Sequence, residues 1–283
     1  MNLVYAGDSM DSNDDLLENI KCITRILNQM KLNHLENKKR LTTMKIENSN
    51  TFKNFAIGPS SQLAYNVSLE ITKNIGRNSK YPEVFIHGEN GIGKTHLLNA
   101  IEKQLNVEHP KLIVKTTTAK NIMDEMISFM KRNQISTFFE NYTINLDVLI
   151  VDDVQELKNK EGTQEQFLLI IKELQRTGKQ IVYASDYAPK KINGISNKLL
   201  AQFQKCLVVD IQKPDLETSV LILEMIAQRN NLIASKKNLL IIAENTEHNP
   251  AQLEGALLRI KAASELMKVE ITEEFIKKEL SSI

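Results

Sequence analysis

The sequence predicts an α/β fold: a five-stranded parallel sheet covered by helices, organised around a P-loop and followed by a small all-helical lid domain. Three observations predict it. Short continuous apolar runs alternate with helical spacing between residues 51 and 213, the pattern of parallel strands buried on both faces. The octapeptide Gly-Glu-Asn-Gly-Ile-Gly-Lys-Thr stands at residues 88–95, directly after the first of those runs. From residue 214 onward only helical spacing recurs.

Taken in order, residues 1–47 read as a helical N-terminal arm. Leu16, Ile20, Ile23, Leu27 and Met30 recur at alternating spacings of four and three, the seam of an amphipathic or coiled-coil helix. The seam stops at His34 and Asn37, and Glu47-Asn48-Ser49-Asn50 reads as a linker. Within the α/β domain at 51–213, Val84-Phe85-Ile86 is the first strand. A helix starts near Lys94 and carries Leu97, Leu98 and Ile101 on one side. After Pro110, Leu112-Ile113-Val114 is the second strand, and helical spacing runs from Ile122 to Phe139. The third strand is Leu146 to Val151, ending in Asp152 and Asp153. Phe167 to Leu174 is helical, Ile181 to Ala184 the fourth strand and Leu207 to Val209 the fifth. Residues 214–283 then supply helices at Leu216–Ile226, Leu239–Ala243, Gln252–Ala263 and Glu273–Leu280, with Asp215 and Thr272 as N-caps. That is a helical domain of about 65 residues, an ordinary domain size.

Composition excludes several function classes. Hydrophobic residues are 42% and charged residues 25% of the 283, the mixture of a globular chain. Net charge is +1, so no global basic field points to nucleic acid. Cys22 and Cys206 are far apart and suggest neither a disulfide framework nor a zinc site. No apolar run reaches membrane-spanning length, and the start of the chain turns acidic too soon for a signal peptide. These features predict a cytoplasmic protein without a membrane partner.

The P-loop predicts ATP or ADP binding. Gly88, Gly91 and Gly93 allow close backbone approach to phosphate, so that successive amides and a helix N-terminus cradle the anion. Lys94 reaches the β- and γ-phosphates, and the Thr95 hydroxyl ligates Mg²⁺. Asp152, at the C-terminal end of a buried strand, faces the same crevice and is a second Mg²⁺ residue of Walker B type. Asp153 is a candidate to orient or deprotonate water, with capping of the following turn as the alternative. Asp186, after the fourth strand, is a candidate sensor of the γ-phosphate, although Ser185-Asp186 is also ordinary turn chemistry. Arg259 is a candidate to reach the phosphates from the lid, although by itself it reads as a solvated helix charge.

These pieces in this order resemble the AAA+ ATPases, and more closely the ATPase domain of DnaA-type bacterial replication initiators. The resemblance covers about residues 51–280. It is carried by Thr51-Phe-Lys-Asn-Phe-Ala-Ile-Gly-Pro-Ser60, Phe85 to Leu98, Asp147-Val-Leu-Ile-Val-Asp-Asp-Val-Gln-Glu-Leu157, Gly162 to Phe167, Pro189 to Ile192, Pro214 to Thr218 and Gln252-Leu-Glu-Gly-Ala-Leu-Leu-Arg259. It implies that Asp186 is the sensor 1 residue and Arg259 the sensor 2 arginine. It also implies that Lys120 to Tyr142 is the helical insertion with which such proteins grip single-stranded DNA. Lys160 matches a basic position on that surface, whereas Gly162 stands where a second basic residue is usual.

Two departures shape the expectation. Gln202 occupies the position of the arginine finger and Lys198 that of another arginine. A neutral amide cannot offset γ-phosphate charge, and a finger contributes about 10³ to 10⁵ in rate in GTPases. In addition, the sequence stops at Ser281-Ser282-Ile283, so the double-stranded-DNA-reading domain of full initiators is expected to be missing, as in Hda-like regulators. No sliding-clamp motif stands out in residues 1–15. The expected protein binds ATP or ADP with Mg²⁺ and acts in replication initiation or its regulation, with weak or partner-dependent hydrolysis. Its partners would be initiator or helicase proteins, with self-association or single-stranded DNA as further candidates. A nucleotide-stabilised interaction module without turnover and a DnaC-type helicase loader are the alternatives.

Overall fold

A computed structural model describes residues 50–281; the arm expected at residues 1–47 lies outside the described residues. After a single 3₁₀ turn at Phe52–Asn54, helix α1 (Gln62–Lys73) leads through a second short turn into strand β1 (Glu83–His87). Then come α2 (Lys94–Glu108), β2 (Val114–Thr118), α3 (Ala119–Lys131), α4 (Ile135–Thr143) and β3 (Val148–Asp152). They are followed by α5 (Glu161–Thr177), β4 (Gln180–Ser185), α6 (Asn197–Lys205) and β5 (Leu207–Asp210). The chain continues with α7 (Leu216–Arg229), α8 (Lys236–Glu244), α9 (Pro250–Met267) and α10 (Glu273–Leu280).

The five strands form one sheet in the order β2-β3-β4-β1-β5, and every pairing is parallel. Side chains alternate between its faces. Val84, Ile86, Val148, Ile150, Val182 and Ala184 pack under α1 and α2, with Leu97, Leu98 and Ile101 above them. Phe85, Leu149, Val151, Ile181 and Tyr183 face α3 to α6. A third apolar cluster comes from α7 to α10 alone and includes Leu223, Ile242, Leu253 and Ile276. Asp215 caps α7 by accepting from Thr218 N, and Thr272 caps α10 by accepting from Phe275 N. No helix among the described residues is long and apolar enough to cross a membrane.

Among the differences from the sequence expectation, two concern the sheet and the helices beside it. The second strand is Val114–Thr118, later than Leu112–Val114. Its polar Thr-Thr-Thr end is tolerated because β2 is an edge strand, while Ile113 stands exposed in the connection. The helical stretch from Ile122 to Phe139 is two helices, separated where Asn133 takes a left-handed conformation (φ 54°).

Candidate functional site

The loop between β1 and α2 is fixed by backbone geometry. Gly88 N donates to Ser185 O on β4 at 3.2 Å, which ties the loop to the neighbouring strand. Gly91 and Gly93 have φ of 78° and 111°, values that side chains other than glycine rarely adopt. Gly93 caps α2, so the first helical residue is Lys94. The Lys94 side chain is buried, and its Nζ donates to Gly88 O (2.8 Å), Glu89 O (3.0 Å) and Asp186 Oδ1 (2.7 Å). A buried ammonium requires such partners. Thr95 Oγ1 donates to Asp152 Oδ2 at 2.6 Å. A hydroxyl and a carboxylate oxygen thus converge beside the loop, the hard-oxygen chemistry that suits Mg²⁺ when phosphate oxygens complete the shell.

Asp152 is the last residue of β3 and is buried; its Oδ1 accepts from Asp153 N at 2.9 Å. Asp153 has left-handed backbone angles (φ 55°, ψ 45°) and its side chain does not cap the turn that follows. It accepts instead from Gln155 Nε2 at 2.9 Å. Burial, reinforced by the charges of Asp152 and Asp186, raises the Asp153 carboxyl above its ordinary range; the Gln155 hydrogen bond and Lys94 pull the other way. Gln155 Nε2 also donates to Asp186 Oδ2 at 3.2 Å, and Gln155 Oε1 accepts from Asp186 N at 3.3 Å. The network therefore gathers Lys94, Thr95, Asp152, Asp153 and Asp186 at the C-terminal ends of β1, β3 and β4. Gln155 was not singled out from the sequence, because its partner Asp186 is 31 residues away.

Beside the loop lies a cavity of ≈ 100 Å³ lined by Phe55, Ile92, Gly93, His96, Met225 and Pro250, among others. Its walls come from the opening segment, from α2 and from the C-terminal helices. The His96 ring nitrogen Nε2 lies 2.9 Å from Thr51 O, and Phe55 meets the imidazole edge-on at 5.2 Å. Because that partner is a carbonyl, Nε2 carries the proton. Burial lowers the His96 pKa, so the ring is neutral at pH 7.

The start of α9 rests on the glycine loop. Asn249 caps the helix by accepting from Ala251 N (3.0 Å), while its Nδ2 donates to Asn90 O (2.8 Å). Ala251 N also donates to Gly91 O at 3.2 Å. A Cβ at Gly91 would come within 2.7 Å of Asn249 Oδ1. The dipeptide Asn249-Pro250 is a legible helix start, yet the spacing put the start at Gln252. Lys213 Nζ lies 3.5 Å from Glu89 and 3.8 Å from Glu247, a second bridge between the loop and the C-terminal helices. Arg259 lies further along α9, where its Nε donates to Glu279 Oε2 at 3.4 Å on α10. Gln202 on α6 is buried, and its Nε2 donates to Glu83 Oε2 at 3.1 Å. Lys198, on the same helix, is exposed.

A family model for the bacterial DnaA ATPase domain matches residues 46–210. The chain belongs to that family. It is 35% identical over 233 residues to the chromosomal replication initiator protein DnaA of Borrelia garinii subsp. bavariensis, covering 82% of this chain and 48% of that protein. It is 38% identical over 229 residues to the DnaA of Sulfurimonas denitrificans, covering 81% and 52%. The chain thus spans about half the length of these curated relatives. Domain III of DnaA from Thermotoga maritima superposes with a TM-score of 0.77 at 32% identity, covering 82% of this chain and 96% of that one. A replication initiator DnaA bound to AMPPCP and single-stranded DNA superposes at 0.69 and 32%, covering 81% and 67%. The RuvB Holliday junction branch migration motor of T. maritima, at 0.58 and 16%, shares the fold alone. The chain is therefore a P-loop AAA+ protein of the DnaA replication-initiator type.

Proposed function

We propose that this chain binds ATP or ADP with Mg²⁺ and works as a nucleotide switch in bacterial replication initiation or its control, in the cytoplasm. In this reading residues 51–213 are the nucleotide-binding domain and residues 214–283 the lid. One observation carries it: the buried Lys94 and Asp152 converge with the exposed Thr95 and the half-buried Asp186 on the glycine loop at one end of the sheet. The AMPPCP complex of a DnaA relative supports the same ligand class.

The residues take these roles. The amides around Gly88, Gly91 and Gly93 hold phosphate oxygens. Lys94 turns from Asp186 and the loop carbonyls toward the β- and γ-phosphates. Thr95 and Asp152 hold Mg²⁺, which supplies charge neutralisation when bound. Asp153 orients water or takes its proton, and its raised pKa brings it nearer the operating pH of a general base. Asp186 reports the γ-phosphate. Phe55, Ile92 and the neutral His96 face the adenine side of the cleft. Arg259 acts from the lid once nucleotide draws the two parts together, exchanging its Glu279 contact for phosphate.

Hydrolysis is expected to depend on a partner. The chain carries its own ATP site, but Gln202 is turned inward onto Glu83 and presents no guanidinium to a neighbour. A DnaA-type initiator that retains an arginine at the equivalent position is the partner this asymmetry fits. Single-stranded DNA is a further candidate ligand, on the analogy of the DNA-bound relative. The test is single-turnover phosphate release by the chain alone and mixed with such an initiator. Slow release alone and acceleration approaching the roughly 10³-fold scale of an arginine finger in the mixture are expected. Background release in every mixture would instead favour a nucleotide-stabilised interaction module without turnover.

A further inference from the structure

We propose that Gln155 is the positioning residue that couples the acids of β3 to Asp186 and so sets the preference of the site for ATP over ADP; the proposal rests on the nucleotide-binding reading above. Its amide makes three contacts, all within the site. Nε2 reaches Asp153 Oδ1 (2.9 Å) and Asp186 Oδ2 (3.2 Å), and Oε1 takes Asp186 N (3.3 Å). Both protons of the amide are thus spent on carboxylates, and its oxygen is spent on the backbone of the second of them.

The arrangement answers a physical problem. Asp153 and Asp186 are like charges on two different elements, and the Asp186 charge disfavours the ionised form of Asp153. A neutral amide that donates to both holds them in one geometry without adding charge. Asp186 is then divided between two donors: Lys94 takes Oδ1 at 2.7 Å and Gln155 takes Oδ2. Lys94 is the group that must reach the γ-phosphate. Without Gln155, Asp186 is free to turn both oxygens toward Lys94 and hold the ammonium more tightly. ATP, which needs that ammonium at its terminal phosphate, then binds less well. ADP, which offers Lys94 a β-phosphate but no γ-phosphate, is affected less.

Two variants separate positioning from packing. Gln155→Met keeps the length and volume of the side chain and removes every polar contact. Gln155→Glu keeps the shape and replaces the two donor protons with a negative charge. The experiment is a calorimetric titration of the full chain with Mg-ATP and Mg-ADP for wild type and both variants. Hydrogen bonds to charged groups are the stronger kind, so the wild-type ratio of ATP to ADP affinity should fall by about tenfold in Gln155→Met, and further in Gln155→Glu. ADP affinity should fall clearly less than ATP affinity does, since ADP loses only the β-phosphate share of the Lys94 contact and keeps its contacts with the loop amides. An unchanged ratio in both variants, or an equal loss of ATP and ADP affinity, overturns the proposal. Equal losses would mark Gln155 as a merely structural residue. Failure of wild type to bind either nucleotide overturns the underlying reading instead, so the two failures are distinguishable.

Discussion

Asp153 combines a left-handed backbone with a carboxyl held above its ordinary pKa by burial and by the adjacent Asp152 charge. The consequence for stability has a definite sign. A carboxyl whose folded pKa is raised binds more protons in the native than in the unfolded chain. Stability contributed by this group is therefore lost as pH rises above the ordinary value of 3.8. Asp153→Asn removes that cost, tolerates the left-handed conformation and keeps an oxygen for Gln155. Urea unfolding should show Asp153→Asn more stable than wild type at pH 7 by under about 1 kcal/mol, because the group is largely solvent-screened. The gain should vanish below about pH 4; a variant less stable than wild type at pH 7 would contradict this account. Lys94, Thr95, Asp152 and Asp153 were legible in the sequence because each lies within one contiguous motif. Gln155 and Asn249 were not, since each acts on residues far away in the chain, Asp186 and Asn90. Local spacing carries no record of such contacts.

Helix α9 begins with a cap that does two things at once. Asn249 closes the first turn through Ala251 N and also grips Asn90 O in the glycine loop. Asn249→Ala loses both and should cost about 1–2 kcal/mol in chemical denaturation, the upper part of the range for an N-cap. Asn249→Ser restores the capping oxygen but has no amide for Asn90, so it should recover most of the lost stability while nucleotide affinity stays reduced. Identical stabilities for the Ser and Ala variants would show that the cap is not what Asn249 supplies. The same scale shows where reading the sequence succeeds. Strands β1, β3, β4 and β5 sit where their apolar runs predict. The edge strand β2, ending in Thr116-Thr117-Thr118, was placed too early because apolar continuity was the signal used and an edge does not require it. The break between α3 and α4 was missed because hydrophobic spacing does not register a single left-handed residue such as Asn133.

At the scale of the whole molecule, the described residues form two apolar clusters on opposite faces of the sheet and a third within the C-terminal helices. The glycine loop lies where the sheet meets those helices, touched by Asn249 and bridged by Lys213. A ligand held there contacts both parts, so its binding free energy can bias how they sit against each other. The α/β class and the helical C-terminal segment were legible from alternation and periodicity. The seam between them was not, because it is built from Phe55, Ile92, Met225 and Pro250, which no single stretch of sequence brings together. The central claim, that this seam is a nucleotide site, is tested most directly by calorimetric titration of the chain with Mg-ATP and Mg-ADP beside the Lys94→Ala variant. Micromolar or tighter binding of both nucleotides by wild type, lost in a Lys94→Ala variant that still shows its native circular dichroism, is the predicted result. Binding of neither nucleotide by wild type, or equal binding by Lys94→Ala, would contradict it.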